Sequence, residues 1–191
     1  MDIKQLMADV EHGDGSAAFE AAKTLSNLPD LPAREVMEAF QRAENLHNRE
    51  AIAYTLSWLR RKEKHEILQA LMKIANDIGE NPAVRGQALE GLGVQKSGQR
   101  HKLWREVEQT VLTSLKDHSV EVRFWACYAA GSLRMKSALP QLRQLAENDT
   151  IMYPTWWRVA EEAADAIEWI MGRGTAIRIR ANVQSQDGTR S

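Results

Sequence analysis

Asp117-His-Ser-Val-Glu-Val-Arg-Phe-Trp-Ala-Cys-Tyr-Ala-Ala-Gly-Ser-Leu133, with Lys136-Ser-Ala-Leu-Pro-Gln-Leu-Arg-Gln-Leu-Ala-Glu-Asn-Asp149 behind it, decides how this chain is read. Val122, Ala126, Ala129, Ala130 and Leu133 recur at the spacing of one helical face. Arg134 to Lys136 makes a turn, and Pro140 suits the first turn of a second helix, where a missing N–H costs nothing. The unit is therefore an antiparallel helical hairpin with an acidic turn on each side.

Working outward, the same pattern returns along the chain. Thr24-Leu-Ser-Asn-Leu28 recurs as Thr55-Leu-Ser-Trp-Leu59, with Ala22 falling on Ala53. Leu56 maps onto Leu92, and Val84-Arg85 with Ala88 maps onto Val122-Arg123 with Ala126. Ala126, Ala129, Ala130 and Leu133 then map onto Ala160, Ala163, Ala164 and Ile167. Self-similarity at a period in this range marks a stack of like units, with unequal steps where turns differ in length. The spacing predicts helix pairs 16–28 with 32–44, 48–60 with 63–78, 82–94 with 101–116, and 119–134 with 137–147, then a long helix from about 154 to 171. Residues 1–13 read as a capping helix, with Ile3, Leu6, Met7 and Val10 on one face. Alanines at 126, 129 and 130 let neighbouring helices approach closely.

Asp117, Val122, Arg123, Ala126, Ala129, Ala130, Gly131, Leu133, Leu139 and Pro140 together resemble a HEAT-like repeat of the phycobilisome-lyase type. The resemblance covers about residues 14–171 and is strongest over 80–171. It implies an all-α fold, an α-solenoid of about four to five antiparallel hairpins forming one domain over 1–171. Residues 172–191, with four arginines against one aspartate and no aromatic residue, are expected to be a flexible basic tail, although Ala176 to Val183 alternates as a strand would.

Composition narrows the function classes. In 191 residues, 43% apolar and 27% charged content is ordinary for a folded domain, and a net charge of -1 argues against a generally nucleic-acid-seeking protein. The single cysteine, Cys127, excludes an internal disulfide and fits a reducing compartment. The N-terminus lacks the apolar stretch of a signal peptide, and no run approaches the roughly 20 apolar residues of a membrane span. A cytoplasmic protein with no membrane partner is the expectation.

Signals for catalysis are thin. His65-Glu66 is similar to the His-Glu pairs of metal-binding HEAT enzymes such as deoxyhypusine hydroxylases, but it occurs once, so neither a metal site nor a cofactor is expected. Cys127 lies among alanines, and Gly91, Gly93 and Gly98 lack the Lys and Ser/Thr of a phosphate loop. The resemblance instead implies a non-catalytic protein-binding module, an adaptor or an inhibitor of the bacterial immunity type, gripping another protein with its concave face or edges. A different reading rests on resemblance to alkylpurine DNA glycosylases built from HEAT-like hairpins, which would draw on Trp156, Trp157, Arg158 and Asp165 for nucleic acid. A third is self-association through the C-terminal end, where Trp169, Ile170 and Met171 make an apolar close to the last helix.

Charge supplies the candidate partner-binding residues. Turns inside the hairpins carry Arg60, Arg61, Lys62 and Lys64, then Lys96, Arg100 and Lys102, then Arg134 and Lys136, whereas turns between hairpins carry Glu44, Glu50, Asp77, Glu80, Asp117, Glu121, Glu147 and Asp149. In a stack of hairpins each kind of turn lies along its own edge, so one edge should be basic and the other acidic. Arg105, Arg143, Trp157 and Arg158 complete the set as arginine or aromatic anchors.

Overall fold

The computed structural model describes residues 2–28, 31–59, 64–153 and 157–173. Among these, ten α-helices follow one another: α1 (Ile3–His12), α2 (Gly15–Ser26), α3 (Ala33–Arg42), α4 (Leu46–Trp58), α5 (His65–Asn76), α6 (Pro82–Gln95), α7 (Trp104–Ser114), α8 (Val120–Ser132), α9 (Leu139–Asn148) and α10 (Val159–Ile170). A single 3₁₀ turn, Lys136–Ala138, precedes α9. Starts are set by side-chain caps: Asp14 accepts from the Ala17 N–H, Asn45 from that of Asn48, and Asn81 from that of Ala83 ahead of Pro82.

The hairpins stack into two layers. The most extensive helix contacts run through the even-numbered helices from α2 to α10, and the odd-numbered helices form an outer layer that touches more sparsely. Small residues explain the difference. A Cβ added at Gly131 would stand 2.8 Å from Ala166 Cα, and one at Gly93 would stand 3.2 Å from Ala129 Cα. Side chains hold this spacing, since the Ser132 hydroxyl donates to the Gly93 carbonyl at 2.9 Å and the Gln95 amide donates to the Ser57 and Leu59 carbonyls. Closer spacing within one layer bends a stack of hairpins toward that layer, which puts the even helices on the concave side. Between the layers lies a continuous core including Leu25, Ile52, Leu56, Leu68, Leu71, Leu89, Leu92, Val111, Val122 and Phe124.

An α-solenoid of antiparallel hairpins is what the repeat register predicts. The final helix differs from its expected bounds, starting at Val159 rather than near 154. Met152 and Arg158 form an isolated antiparallel bridge just before it, and the Arg158 N–H is held by the Glu161 carboxylate at 2.9 Å, which fixes the helix start there. The C-terminal end is also less apolar than the sequence suggests: Ile170 is buried, Trp169 packs on Tyr128, and of the three only Met171 is exposed. The strand-like alternation at 176–183 lies outside the described residues.

Candidate functional site

Two groups of carboxylates occupy different parts of this fold. The first sits in the turns between hairpins, at the edge where acidic turns were expected. There, equivalent arginines near the starts of α4, α6 and α8 reach into the turns. Arg49 donates to the Phe40 and Ala43 carbonyls that end α3 and pairs with Glu80; Arg85 donates to the Ala75 carbonyl and pairs with Asp117 at 2.6 Å. Arg123 donates to the carbonyls of Asp117 and His118 and pairs with Asp149 at 2.7 Å. Glu11 is likewise held by both nitrogens of the Arg42 fork, each at 2.7 Å. Burial would raise the Asp117 pKa, but the Ser119 N–H and the Arg85 guanidinium outweigh it and hold the carboxyl below the usual range. The partly buried acids of this edge, Glu80, Asp117 and Asp149, are thus neutralised, while Glu44, Asp77 and Glu147 stay exposed.

The second group lies on the concave face. Helix α4 presents Glu50, Tyr54 and Trp58, each four residues apart and hence on one stripe; α8 presents Glu121, Trp125 and Tyr128, at steps of four and three, on a similar stripe. Between them runs α6, with Gly86, Glu90 and Gly93 on one face. The glycines seat the aromatic rings. A Cβ at Gly86 would meet Trp125 Cδ1 at 2.6 Å, and one at Gly93 would meet Tyr128 Cε1 at 2.9 Å. Trp125 and Tyr128 touch edge to face at 5.7 Å, so Glu90 stands in a bay bordered by the two rings. The aromatic surface extends from Phe19 through Tyr54 to Trp58 on one side, and from Tyr128 to Trp169 on the other.

These carboxylates lack the arginine partners of the turn group. Glu90 accepts from Gln87 on its own helix, Glu121 accepts from the Tyr153 hydroxyl, and no cation pairs with Glu50, Glu90 or Glu121 among the described residues. Burial raises the Glu50 pKa, the charge of Glu121 raises it further, and His47 offsets part of the rise. Burial also raises that of Glu90, opposed in part by the Gln87 amide. Tyr128 and Tyr153 are pushed up by burial and then by these neighbouring carboxylates, so both hydroxyls stay protonated at neutral pH.

The residues picked from the sequence fall elsewhere. Arg60, Arg61 and Lys62, with Trp156, lie outside the described residues. Arg100, Lys102, Arg134 and Lys136 are exposed at the hairpin turns, while Lys64 donates to the Gln95 carbonyl. Arg134 holds a left-handed backbone, φ 57°, a conformation glycine adopts without strain. Arg105 lines a cleft of about 610 Å³ with Lys73, Asn76 and Gln109 on the outer layer, and Arg143 and Arg158 are exposed. Trp157 is half-buried, packed on Phe124 with 5.3 Å between centroids, and its indole donates to Glu162 at 2.8 Å. His65 lies beside His101 with ring centroids 6.4 Å apart, and no group of three or more potential metal ligands occurs among the described residues. Cys127 is fully buried, and burial holds its thiol well above the ordinary pKa. The concave residues Tyr54, Trp58, Glu90, Trp125 and Tyr128 were not selected as a site, because they come together only once successive repeats are aligned and Gly86 and Gly93 are seen as seats.

The pattern that defines HEAT repeats matches residues 68–168, more than half of the chain. The chain belongs to the HEAT repeat family. Among solved structures with similar HEAT architecture is the complex of CpcE and CpcF of phycocyanin lyase from Nostoc sp. PCC7120, with a TM-score of 0.69, 19% identity, and coverage of 86% of this chain and 97% of that chain. An engineered protein is also similar, with a TM-score of 0.52, 16% identity, and coverage of 89% of this chain and 80% of that one. At these identities the likeness concerns the fold. No curated protein matches the sequence. No helix among the described residues is long and apolar enough to cross a membrane.

Proposed function

We propose that this HEAT repeat protein is a non-catalytic binding module that grips a partner protein on its concave face, as an adaptor or an inhibitor of the immunity type. The observation that carries the reading is the row of part-exposed aromatic rings, Tyr54, Trp58, Trp125, Tyr128 and Trp169, held on stacked rigid helices. Aromatic side chains offer large contact area for little lost rotamer freedom, which is why they dominate the energetics of protein interfaces. A helical stack also presents them with little reorganisation on binding. The similar structure of CpcE with CpcF is a complex of two proteins, which fits the same class of role.

The exposed bases Arg100, Lys102, Arg134 and Lys136 form a second strip at the hairpin turns, available to an acidic part of the same partner. Arg134 sits where glycine would be unstrained, which favours a use for its charge. The nucleic-acid reading is weaker, since carboxylates on the concave face would repel phosphate.

The test is affinity capture of the tagged full chain from its own cells, with and without nuclease. One stoichiometric protein partner, retained after nuclease and released by Trp125→Ala with Tyr54→Ala, is the expected result. Recovery of nucleic acid alone, lost at moderate salt, would overturn it.

A further inference from the structure

The concave face combines two features: half-buried carboxylates with no arginine or lysine paired to them among the described residues, and part-exposed aromatic rings beside them. Elsewhere among the described residues four acids that leave solvent are matched by arginine, and the buried Glu162 accepts from the Trp157 indole. Glu80, Asp117 and Asp149, together with Glu11, each hold a guanidinium. Among the described residues no guanidinium pairs with Glu50 or Glu90, although burial disfavours their charge. Glu121 is close enough to Glu50 for the two charges to repel, with Gly86 of α6 between their helices and in contact with the Glu121 side chain.

We propose that Glu50, Glu90 and Glu121, framed by Tyr54, Trp125 and Tyr128, receive lysine or arginine side chains from a basic segment of the partner protein. The proposal rests on the protein-binding reading above and names the chemistry of that partner. Charge complementarity selects a cation for three unmatched carboxylates. The rings select one carried on a flat or apolar stem, because a guanidinium stacks on an aromatic face while its N–H groups reach a carboxylate. The protein shows the same pairing internally: Arg49 lies over the Phe40 ring at 4.1 Å while its guanidinium holds Glu80. On the concave face the ring and carboxylate halves of that arrangement are present, and the cation is left for another chain to supply. Binding would relieve the repulsion between Glu50 and Glu121 and return Glu90 to a charge-balanced setting.

The test uses the full chain and defined probes: acetylated, amidated hexa-arginine and hexa-glutamate peptides, titrated calorimetrically at low salt. Hexa-arginine is expected to bind saturably and hexa-glutamate not at all. The Glu50→Gln, Glu90→Gln double variant should weaken hexa-arginine by about tenfold or more, a loss of ~1.4 kcal/mol or more. Glu147→Gln removes an exposed acid away from this face and should leave affinity unchanged, which separates a site from general charge. Absent binding, or equal binding by the double variant, would overturn the proposal. Helical content by circular dichroism confirms that the variants are folded. Applied to a partner captured from cells, the same variants separate the two readings. A partner released by Trp125→Ala but retained in full by the double Gln variant would overturn the cationic assignment and leave protein binding intact. Absence of any partner would overturn protein binding itself.

Discussion

The turn edge and the concave face carry similar numbers of partly buried acids and treat them in opposite ways. In the turns, Glu80, Asp117 and Asp149 each meet an arginine that also donates to backbone carbonyls at or just after the end of an outer helix, so charge, hydrogen bonding and chain geometry agree. On the concave face Glu50 and Glu90 are desolvated with no arginine or lysine paired to them among the described residues, and only His47 offsets part of the cost at Glu50. The first arrangement stabilises the fold. The second costs stability, which is expected of a surface shaped for something other than folding.

The largest effect that would break this comparison is expected in the turns. Arg85→Met leaves the largely buried Asp117 and the Ala75 carbonyl without their donor, and should cost about 3 kcal/mol, or roughly 10 °C in Tm for a chain of this size. Thermal denaturation of the variant checks it. The sign with pH follows from the lowered Asp117 pKa: its contribution is present above the ordinary aspartate range and is lost as pH falls through the lowered value. The loss caused by Arg85→Met should thus shrink in acid.

Next comes the spacing of the concave layer itself. A valine at Gly131 would press on the backbone of Ala166, which cannot rotate away, and should cost about 2 kcal/mol by forcing α8 and α10 apart. Urea denaturation gives the number.

A smaller effect of opposite sign sharpens the contrast. Glu90→Gln should raise Tm at neutral pH, because a carboxyl whose folded pKa is raised destabilises the folded state once ionised. In the wild type this penalty is absent below the ordinary glutamate pKa and grows as pH rises through the raised one. The gain from Glu90→Gln should therefore vanish in acid, the same direction of travel as for Arg85→Met but from a stabilising change. A variant that loses Tm at pH 7 would place Glu90 among the structural acids.

The smallest effect belongs to the hairpin edge. Arg134→Gly relieves a left-handed backbone strain, and should be neutral or stabilising by at most about 1 kcal/mol. Loss of partner capture in this variant, with Tm held or raised, would add the basic strip to the interface.

The fold was legible because its signal is distributed. Ala126, Ala129 and Ala130 with Val122 and Arg123 repeat across hairpins, and no single misjudged turn disturbs that register. The start of α10 was not legible, since Pro154 lies within the expected helix and the bridge between Met152 and Arg158 is a tertiary event. Assigning Glu50 and Glu121 to an acidic edge followed from their closeness to turns; each lies inside the first or second turn of its helix and faces the concave side with Tyr54 and Trp125. The fate of the turn acids was written in the sequence as Arg49, Arg85 and Arg123 in equivalent positions, but only the coordinates show which carboxylate each arginine takes. Trp157 was separable from an exposed anchor only by finding Phe124 and Glu162 beside it.

The turn arginines have a consequence for how the array comes apart. The Ala75 carbonyl, Arg85, Asp117, Arg123 and Asp149 form one unbroken relay from the end of α5 to the end of α9, because the Asp117 side chain holds one arginine while its carbonyl holds the next. Stacked hairpins joined only by apolar faces can fray one at a time from an open end. Here peeling off the hairpin of α8 and α9 also removes the donor that closes the turn before it, so the loss of one unit loosens its neighbour. A relay of this kind couples the melting of successive hairpins and lengthens the stretch expected to unfold together, moving a short array toward the all-or-none unfolding of a globular domain.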